Sequence, residues 1–189
     1  MQINDKQVGL LAKVARSTRA AHAGEANVSI LTLAAASYGL RPASEATVPT
    51  GFDPSAMALF EAIVEGAYLV AAADGVVDPA ERAVFEKVVV EACSGVVAGG
   101  QIAALVADLA DQLSEDGVDA RVSAVASMAG KKPEHAREIV RIAALLAETS
   151  GGVGPEERVV LGKIAAASGL ADAEVDVAIA AVHAALAAG

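Results

Sequence analysis

The stretch Ala73–Glu81, with the sequence ADGVVDPAE, returns in altered form as Thr149–Glu157, with the sequence TSGGVGPEE. The agreement extends into the flanking segments, where it includes the pairs Leu69/Leu145, Ala71/Ala147, Pro79/Pro155, Arg82/Arg158, Val84/Val160 and Lys87/Lys163. One short shared motif would mean little, but a match along a whole register indicates a duplicated helix–loop–helix. The sequence therefore predicts an internal repeat, with copies at about residues 57–94 and 135–170.

Apolar residues recur at helical intervals along most of the chain, whereas the alternation typical of strands is scarce. This pattern predicts an all-α fold. We expect a compact bundle of about seven helices with a pseudo-twofold internal repeat, preceded by one or two N-terminal helices. The first helix is predicted at residues 5–21 and the second at residues 28–38. The last helix is predicted to follow Gly169, with Asp172 as its cap.

Three prolines interrupt residues 41–54, a segment that also holds small polar residues. Such a segment does not sustain a helix, so it is predicted to be a linker. The chain is therefore predicted to divide into an N-terminal helical segment (1–40), a Pro-rich linker (41–54) and a helical domain (55–189).

Composition narrows the possible functions. The chain has 189 residues, 54% of them apolar, and can bury a sizeable core. Its one cysteine cannot form an intramolecular disulfide, and its start lacks a secretory signal, so we expect a cytoplasmic protein. The mean hydropathy of +0.49 comes from alanine and valine, and charges such as Glu61 and Glu65 interrupt the apolar stretches. The net charge of −10 argues against a nucleic-acid partner.

The N-terminal segment differs from the rest in charge, because residues 1–24 carry four basic side chains and one acidic side chain. A basic helix can lie on an anionic membrane, but this one lacks tryptophan and a large apolar face. Docking against the acidic core of its own or a neighbouring subunit is favoured, and membrane contact is expected to be peripheral at most or to occur through a partner.

The first loop gathers three carboxylates, Asp74, Asp78 and Glu81, between two apolar segments. The order Asp78, Pro79, Glu81 is typical of a helix start with a capping box. Asp74 instead follows the end of a helix, where the macrodipole disfavours negative charge. Hard cations take oxygen ligands, so these carboxylates and a backbone carbonyl near Val76 suit a divalent cation. The sequence leaves open both a cation site and a plain solvated loop.

Other chemistry finds little support in the sequence. The spacing of the loop is not that of an EF-hand, and Gly151–Gly154 lacks the Lys-Ser/Thr of a phosphate-binding loop. No nucleophile elbow is recognisable. The candidate zinc ligands are scattered without ligand spacing: His22, His135, His183 and Cys93. A non-enzymatic protein is therefore expected.

The sequence resembles the TerB tellurite-resistance family over roughly residues 55–183. The resemblance depends on Leu69–Gly75 (LVAAADG) followed by Glu81, and on Ile164–Leu170 (IAAASGL) followed by acidic residues. It implies a compact helical bundle with a pseudo-twofold repeat, whose acidic loops are implicated in divalent cation binding. The family is found in bacterial proteins.

The resemblance carries over Asp74, Asp78 and Glu81 as metal ligands, with Glu157 alone from the second loop. The second loop departs from the family pattern, since Ser150 stands where Asp is usual and Gly154 where an acid is frequent. For Glu157, a role as a helix cap is predicted in preference to a role as a metal ligand. The expected function is a stress or tellurite-resistance protein that binds Ca²⁺, Mg²⁺ or Mn²⁺ weakly and acts through protein partners, self-association included. The alternative is a metal-independent interaction or assembly module whose acidic loops are only helix caps.

Overall fold

The computed structural model describes residues 4–17, 29–42, 49–75 and 77–188, and this part of the chain contains nine α-helices and no strand. The helices are α1 (Asp5–Arg16), α2 (Ile30–Gly39), α3 (Pro54–Ala71), α4 (Pro79–Ala92), α5 (Gly99–Asp116), α6 (Val118–Ala129), α7 (Pro133–Ala147), α8 (Pro155–Ala167) and α9 (Asp172–Ala188). The predicted all-α bundle is confirmed, with α3–α9 as the seven helices after the linker. The pseudo-twofold repeat and the division into domains stay predictions.

The N-terminal helices are shorter than predicted. Helix α1 ends at Arg16, and Ser17 is its C-cap, with extended backbone and a hydroxyl that donates to the carbonyl of Val14 at 2.7 Å. Residues 18–21 of the predicted first helix lie outside the described residues, as do Val28 of the predicted second helix and residues 43–48 of the predicted linker.

Helix α3 is the central element, and it contacts α2, α5, α6, α7 and α8. Pro54 occupies its first turn, and the Asp53 side chain caps it by accepting hydrogen bonds from the backbone N–H groups of Ser55 and Ala56. The apolar stripe expected from the helical spacing of Phe60, Ile63, Val64, Ala67, Val70 and Ala71 is buried at its first five residues, and Ala71 at the end of the helix is partly buried. By length and composition α3 is the one helix of the described residues that could cross a membrane, and 61% of it is buried inside this fold.

Helix α2 covers α3, where the rings of Tyr38 and Phe60 pack with centroids 4.7 Å apart. The carboxyl end of α2 approaches the turn between α4 and α5 so closely that a Cβ at Gly39 would lie 2.1 Å from the carbonyl oxygen of Val96. Only glycine permits this backbone contact.

Helix α1 packs against α4 and also contacts α2, α7 and α9. Its buried residues are Val8, Leu11, Ala12, Val14 and Ala15. The basic helix therefore packs on the core of its own chain, the first of the two docking arrangements favoured by its charge.

Candidate acidic-loop site

The first loop begins where α3 ends, at Ala71. The backbone N–H of Ala72 still donates to the carbonyl of Tyr68 at 2.9 Å, which closes the last turn of the helix. Asp74 follows in an exposed turn, at the negative end of the α3 dipole, as its sequence position predicts.

Asp78 and Glu81 form the predicted capping box at the start of α4. Asp78 Oδ1 accepts hydrogen bonds from the backbone N–H groups of Ala80 at 2.7 Å and Glu81 at 2.9 Å. Glu81 Oε2 in turn accepts from the backbone N–H of Asp78 at 2.9 Å. Both side chains are exposed, and one oxygen of each carboxylate is used to cap the helix.

The second loop keeps half of this arrangement. Pro155 again occupies the first turn of a helix, and Glu157 Oε2 accepts from the backbone N–H of Gly154 at 2.6 Å. Glycine at the N-cap offers no side chain to complete the box. The Ser150 hydroxyl donates to Glu157 Oε1 at 3.4 Å, and Glu157 is 9% exposed. The predicted capping role of Glu157 is confirmed.

Electrostatics link the two loops. Burial raises the pKa of Glu157, the hydrogen bonds from Gly154 and Ser150 act against that rise, and the negative charges of Asp74 and Glu148 add to it. Asp74 of the first loop therefore lies near enough to Glu157 of the second for the charges to repel each other. Glu148 is itself paired with His183 of α9 at 3.0 Å.

The fit of a cation to these side chains is incomplete. Within the described ranges, no group of three or more His, Cys, Asp or Glu side chains is placed to hold a metal ion. The carbonyl near Val76 that was expected as a ligand lies outside the described residues. Asp74, Asp78, Glu81 and Glu157 thus stay predicted ligands, and three of the four have a capping role that needs no metal.

Among the described residues, the most deeply buried charge lies elsewhere and was not predicted to have a role. Glu65 on α3 is 2% exposed and accepts a hydrogen bond from Nε of Arg121 on α6 at 2.6 Å. Arg121 also donates to Asp116 at 3.1 Å, and its contacts with Glu65 and then Asp116 raise its pKa. This cluster joins the central helix to α6, and we assign it a structural role.

A cavity of about 370 Å³ opens between α7 and α9. Its described lining is mostly apolar, and its two arginines are paired, Arg137 with Glu174 at 2.7 Å and Arg141 with Glu138 at 2.9 Å. Ser17 and Ser29, which flank residues outside the described part, also line it. We therefore assign no ligand to this cavity.

These features define a class of protein: a compact helical bundle in which a glutamate caps the helix that follows each of the two loops, at the starts of α4 and α8. A family model described as "Tellurite resistance protein TerB" matches residues 60–180, and the chain belongs to this TerB family. Comparison with curated proteins gave no match. Comparison with solved structures likewise gave none.

Proposed function

We propose that this TerB-family chain is a non-enzymatic cytoplasmic protein of the stress and tellurite-resistance type that acts through protein partners, and that its acidic loops serve first as helix caps. The observation that carries the proposal is the hydrogen bonding of Asp78, Glu81 and Glu157. Each of these carboxylates satisfies a backbone N–H at the start of a helix that has no partner within the helix.

Two further observations support a role without catalysis. Cys93 is fully buried, and burial raises the pKa of its thiol to about 12, so the reactive thiolate is scarce at neutral pH. The arginines at the α7–α9 cavity are held by glutamates, which leaves them poorly placed to stabilise a developing charge.

A second candidate function is weak binding of Ca²⁺, Mg²⁺ or Mn²⁺ at Asp74, Asp78 and Glu81. The observation that favours it is the repulsion of Glu157 by Asp74 and Glu148. A cation between the loops would relieve this repulsion, and Asp78 and Glu81 each keep one carboxylate oxygen outside the capping box. Occupancy would then fix the angle between the helices that meet at the loop.

Calorimetric titration with each of the three cations, combined with thermal unfolding with and without chelator, separates the two functions. Absence of heat and of thermal stabilisation at millimolar metal is expected for loops that only cap helices. Saturable heat and a metal-dependent rise in Tm would instead establish the second candidate. Light scattering under the same conditions would show whether the metal changes self-association.

A further inference from the structure

We propose that the groove beneath α1, between α4 and α7, is a docking site for an amphipathic helix of a protein partner, and that α1 is its displaceable occupant. The proposal rests on the proposed function only in that the protein acts through partners. It involves none of the acidic-loop residues.

The floor of the groove is apolar. Beneath Ala15 it is formed by residues from α2, α3, α4 and α7, which include Ile63, Val64, Val88, Val89, Ile142 and Leu146. Displacement of α1 would uncover apolar side chains of α4 and α7, the two walls of the groove, and a contiguous apolar surface of this kind needs cover. An amphipathic helix lying in a groove is a recurrent way to provide it.

One end of the groove recognises a feature common to all helices. Arg141 donates from Nη1 to the carbonyl of Val14 at 3.0 Å and from Nη2 to the carbonyl of Ala15 at 2.8 Å. The last carbonyls of a helix lack the usual partner one turn further on, whatever its sequence, and in α1 the carbonyl of Val14 also accepts from the N–H and hydroxyl of Ser17. Glu138 holds the guanidinium in place through two hydrogen bonds of 2.9 Å. The site therefore binds the carboxyl end of a helix without regard to which helix it is.

Charge sets the direction of the bound helix. Lys87 of α4 pairs with Asp5 in the first turn of α1 at 2.5 Å, and both side chains are exposed. An exposed ion pair adds little affinity, but it favours one orientation. The partner that fits is thus an amphipathic helix with an acid in its first turn and an open carboxyl end at Arg141.

Helix α1 is short, and part of the face that it buries in the groove consists of small side chains. It has 12 residues, a length at which a helix depends on packing, and two of its five buried side chains are alanines. The family match begins at residue 60, so α4 and α7 lie within the matched region and α1 does not. The groove is therefore a surface of the matched region that the chain covers with its own additional helix.

The test uses the full chain, in chelator, and a fluorescent peptide with the sequence of residues 4–17 as the probe. Leu11→Asp places a charge on the buried face of α1 and is expected to bind the peptide at least tenfold more tightly than the wild type, in which α1 competes. Adding Arg141→Gln is expected to weaken binding about tenfold, because the hydrogen bonds to the peptide carbonyls are lost. Leu33→Asp, at a residue 58% exposed on α2, is the control and should behave as the wild type.

A Leu11→Asp variant that unfolds cooperatively but does not bind the peptide, or binds it no better than the wild type, overturns the proposal. Should that variant not fold, hydrogen exchange on the wild type decides. The α1 amides are then expected to exchange at least tenfold faster than those of α3 and α7, and equal protection overturns the proposal. If the wild type instead forms a dimer at high concentration that no longer binds the peptide, the groove is assigned to a second copy of the chain. That result would also overturn the proposal. Since no metal is present, these results are independent of cation binding.

Discussion

Gly66 on α3 lies directly against Ile139 on α7, so that a Cβ at position 66 would stand 2.6 Å from Cγ2 of Ile139. Real Cβ atoms do not approach a methyl group this closely. The glycine therefore sets the distance between the two helices that each contribute more buried residues than any other described helix, at the cost of some helix propensity.

Replacing Gly66 tests whether this close contact between α3 and α7 contributes to stability. Gly66→Ala is expected to lower the free energy of unfolding by about 1–3 kcal/mol, because overpacking outweighs the gain in helix propensity. Urea unfolding measures the change. Gly9→Ala, in α1 with no neighbour within 4 Å of the added carbon, is the control and should stabilise by up to about 1 kcal/mol. Ile139→Leu removes the clashing methyl group, so a double variant that gains nothing over Gly66→Ala would count against this contact.

The buried pair between α3 and α6 should be sensitive to loss of one partner. Arg121→Met leaves the Glu65 carboxylate buried without a cation, and about 3–5 kcal/mol of stability should be lost in urea unfolding. Glu65→Gln in the same chain should restore more than half of the loss. The exposed pair of Lys163 with Asp119 offers the comparison, since Lys163→Met should cost less than about 1 kcal/mol. If Arg121→Met and Lys163→Met lowered the free energy of unfolding by similar amounts, the structural role assigned to the Glu65–Arg121 pair would be contradicted.

Asp74 distinguishes the two functions proposed for the acidic loop. Asp74→Asn should raise the metal-free stability by about 0.3–1 kcal/mol, because a negative charge leaves the carboxyl end of α3 and no longer repels Glu157. Any stabilisation by Ca²⁺, Mg²⁺ or Mn²⁺ should disappear. Glu115→Gln, an exposed position in the last turn of α5, removes a similarly placed charge and should leave the metal response intact. Thermal unfolding that shows equal metal stabilisation of Asp74→Asn and wild type would exclude Asp74 as a ligand.

The raised pKa of Glu157 gives the stability a defined pH dependence. The folded state holds this proton more tightly than the unfolded state, so the contribution of Glu157 is full below the ordinary glutamate pKa. It is lost as pH rises through the raised folded value. Glu157→Gln keeps an acceptor for the Gly154 N–H, and its stability relative to wild type should increase from pH 4 to pH 7. Glu157→Ala should be about 1 kcal/mol less stable than Glu157→Gln because the cap is lost. If the difference in the free energy of unfolding between Glu157→Gln and wild type, measured in urea, did not change with pH, the raised pKa of Glu157 would be refuted.

The buried thiol should report on unfolding. With the pKa of Cys93 raised to about 12, the native protein should react with a thiol reagent at pH 8 no faster than it unfolds. In urea the reaction should become rapid. Moving the thiol by one position, with Cys93→Ala and Ser94→Cys, should give fast reaction of the native protein, because position 94 is exposed. Rapid reaction of native Cys93 would mean that the end of α4 opens locally.

Local signals explain what could be predicted. The order Asp78, Pro79, Glu81 encodes a capping box within four residues, and the structure contains it. The apolar positions Phe60, Ile63, Val64, Ala67 and Val70 of α3 follow helical periodicity, and all five are buried. Both features depend on neighbours in sequence, which is why the helices after the linker were recognised in number and order.

Specific side-chain contacts between distant segments were not predicted. Glu65 was interpreted as an interruption of an apolar stretch, although its place among buried neighbours signals a need for a partner. Nothing local identifies that partner as Arg121. Asp172 was predicted to cap α9, but it lies inside the helix and binds Arg158 of α8, while Glu174 accepts from the Ala171 N–H. The nearness of Asp74 to Glu157 likewise depends on how the two helix pairs fold together.

The family match begins at residue 60, whereas α3 begins at Pro54 and is covered by α2. A recombinant fragment trimmed to the matched residues would start without the Asp53 cap and without the ring of Tyr38 over Phe60. It would expose apolar side chains of its central helix to solvent and would be prone to aggregate. The region that the family model matches is thus shorter than the region that we expect to fold on its own.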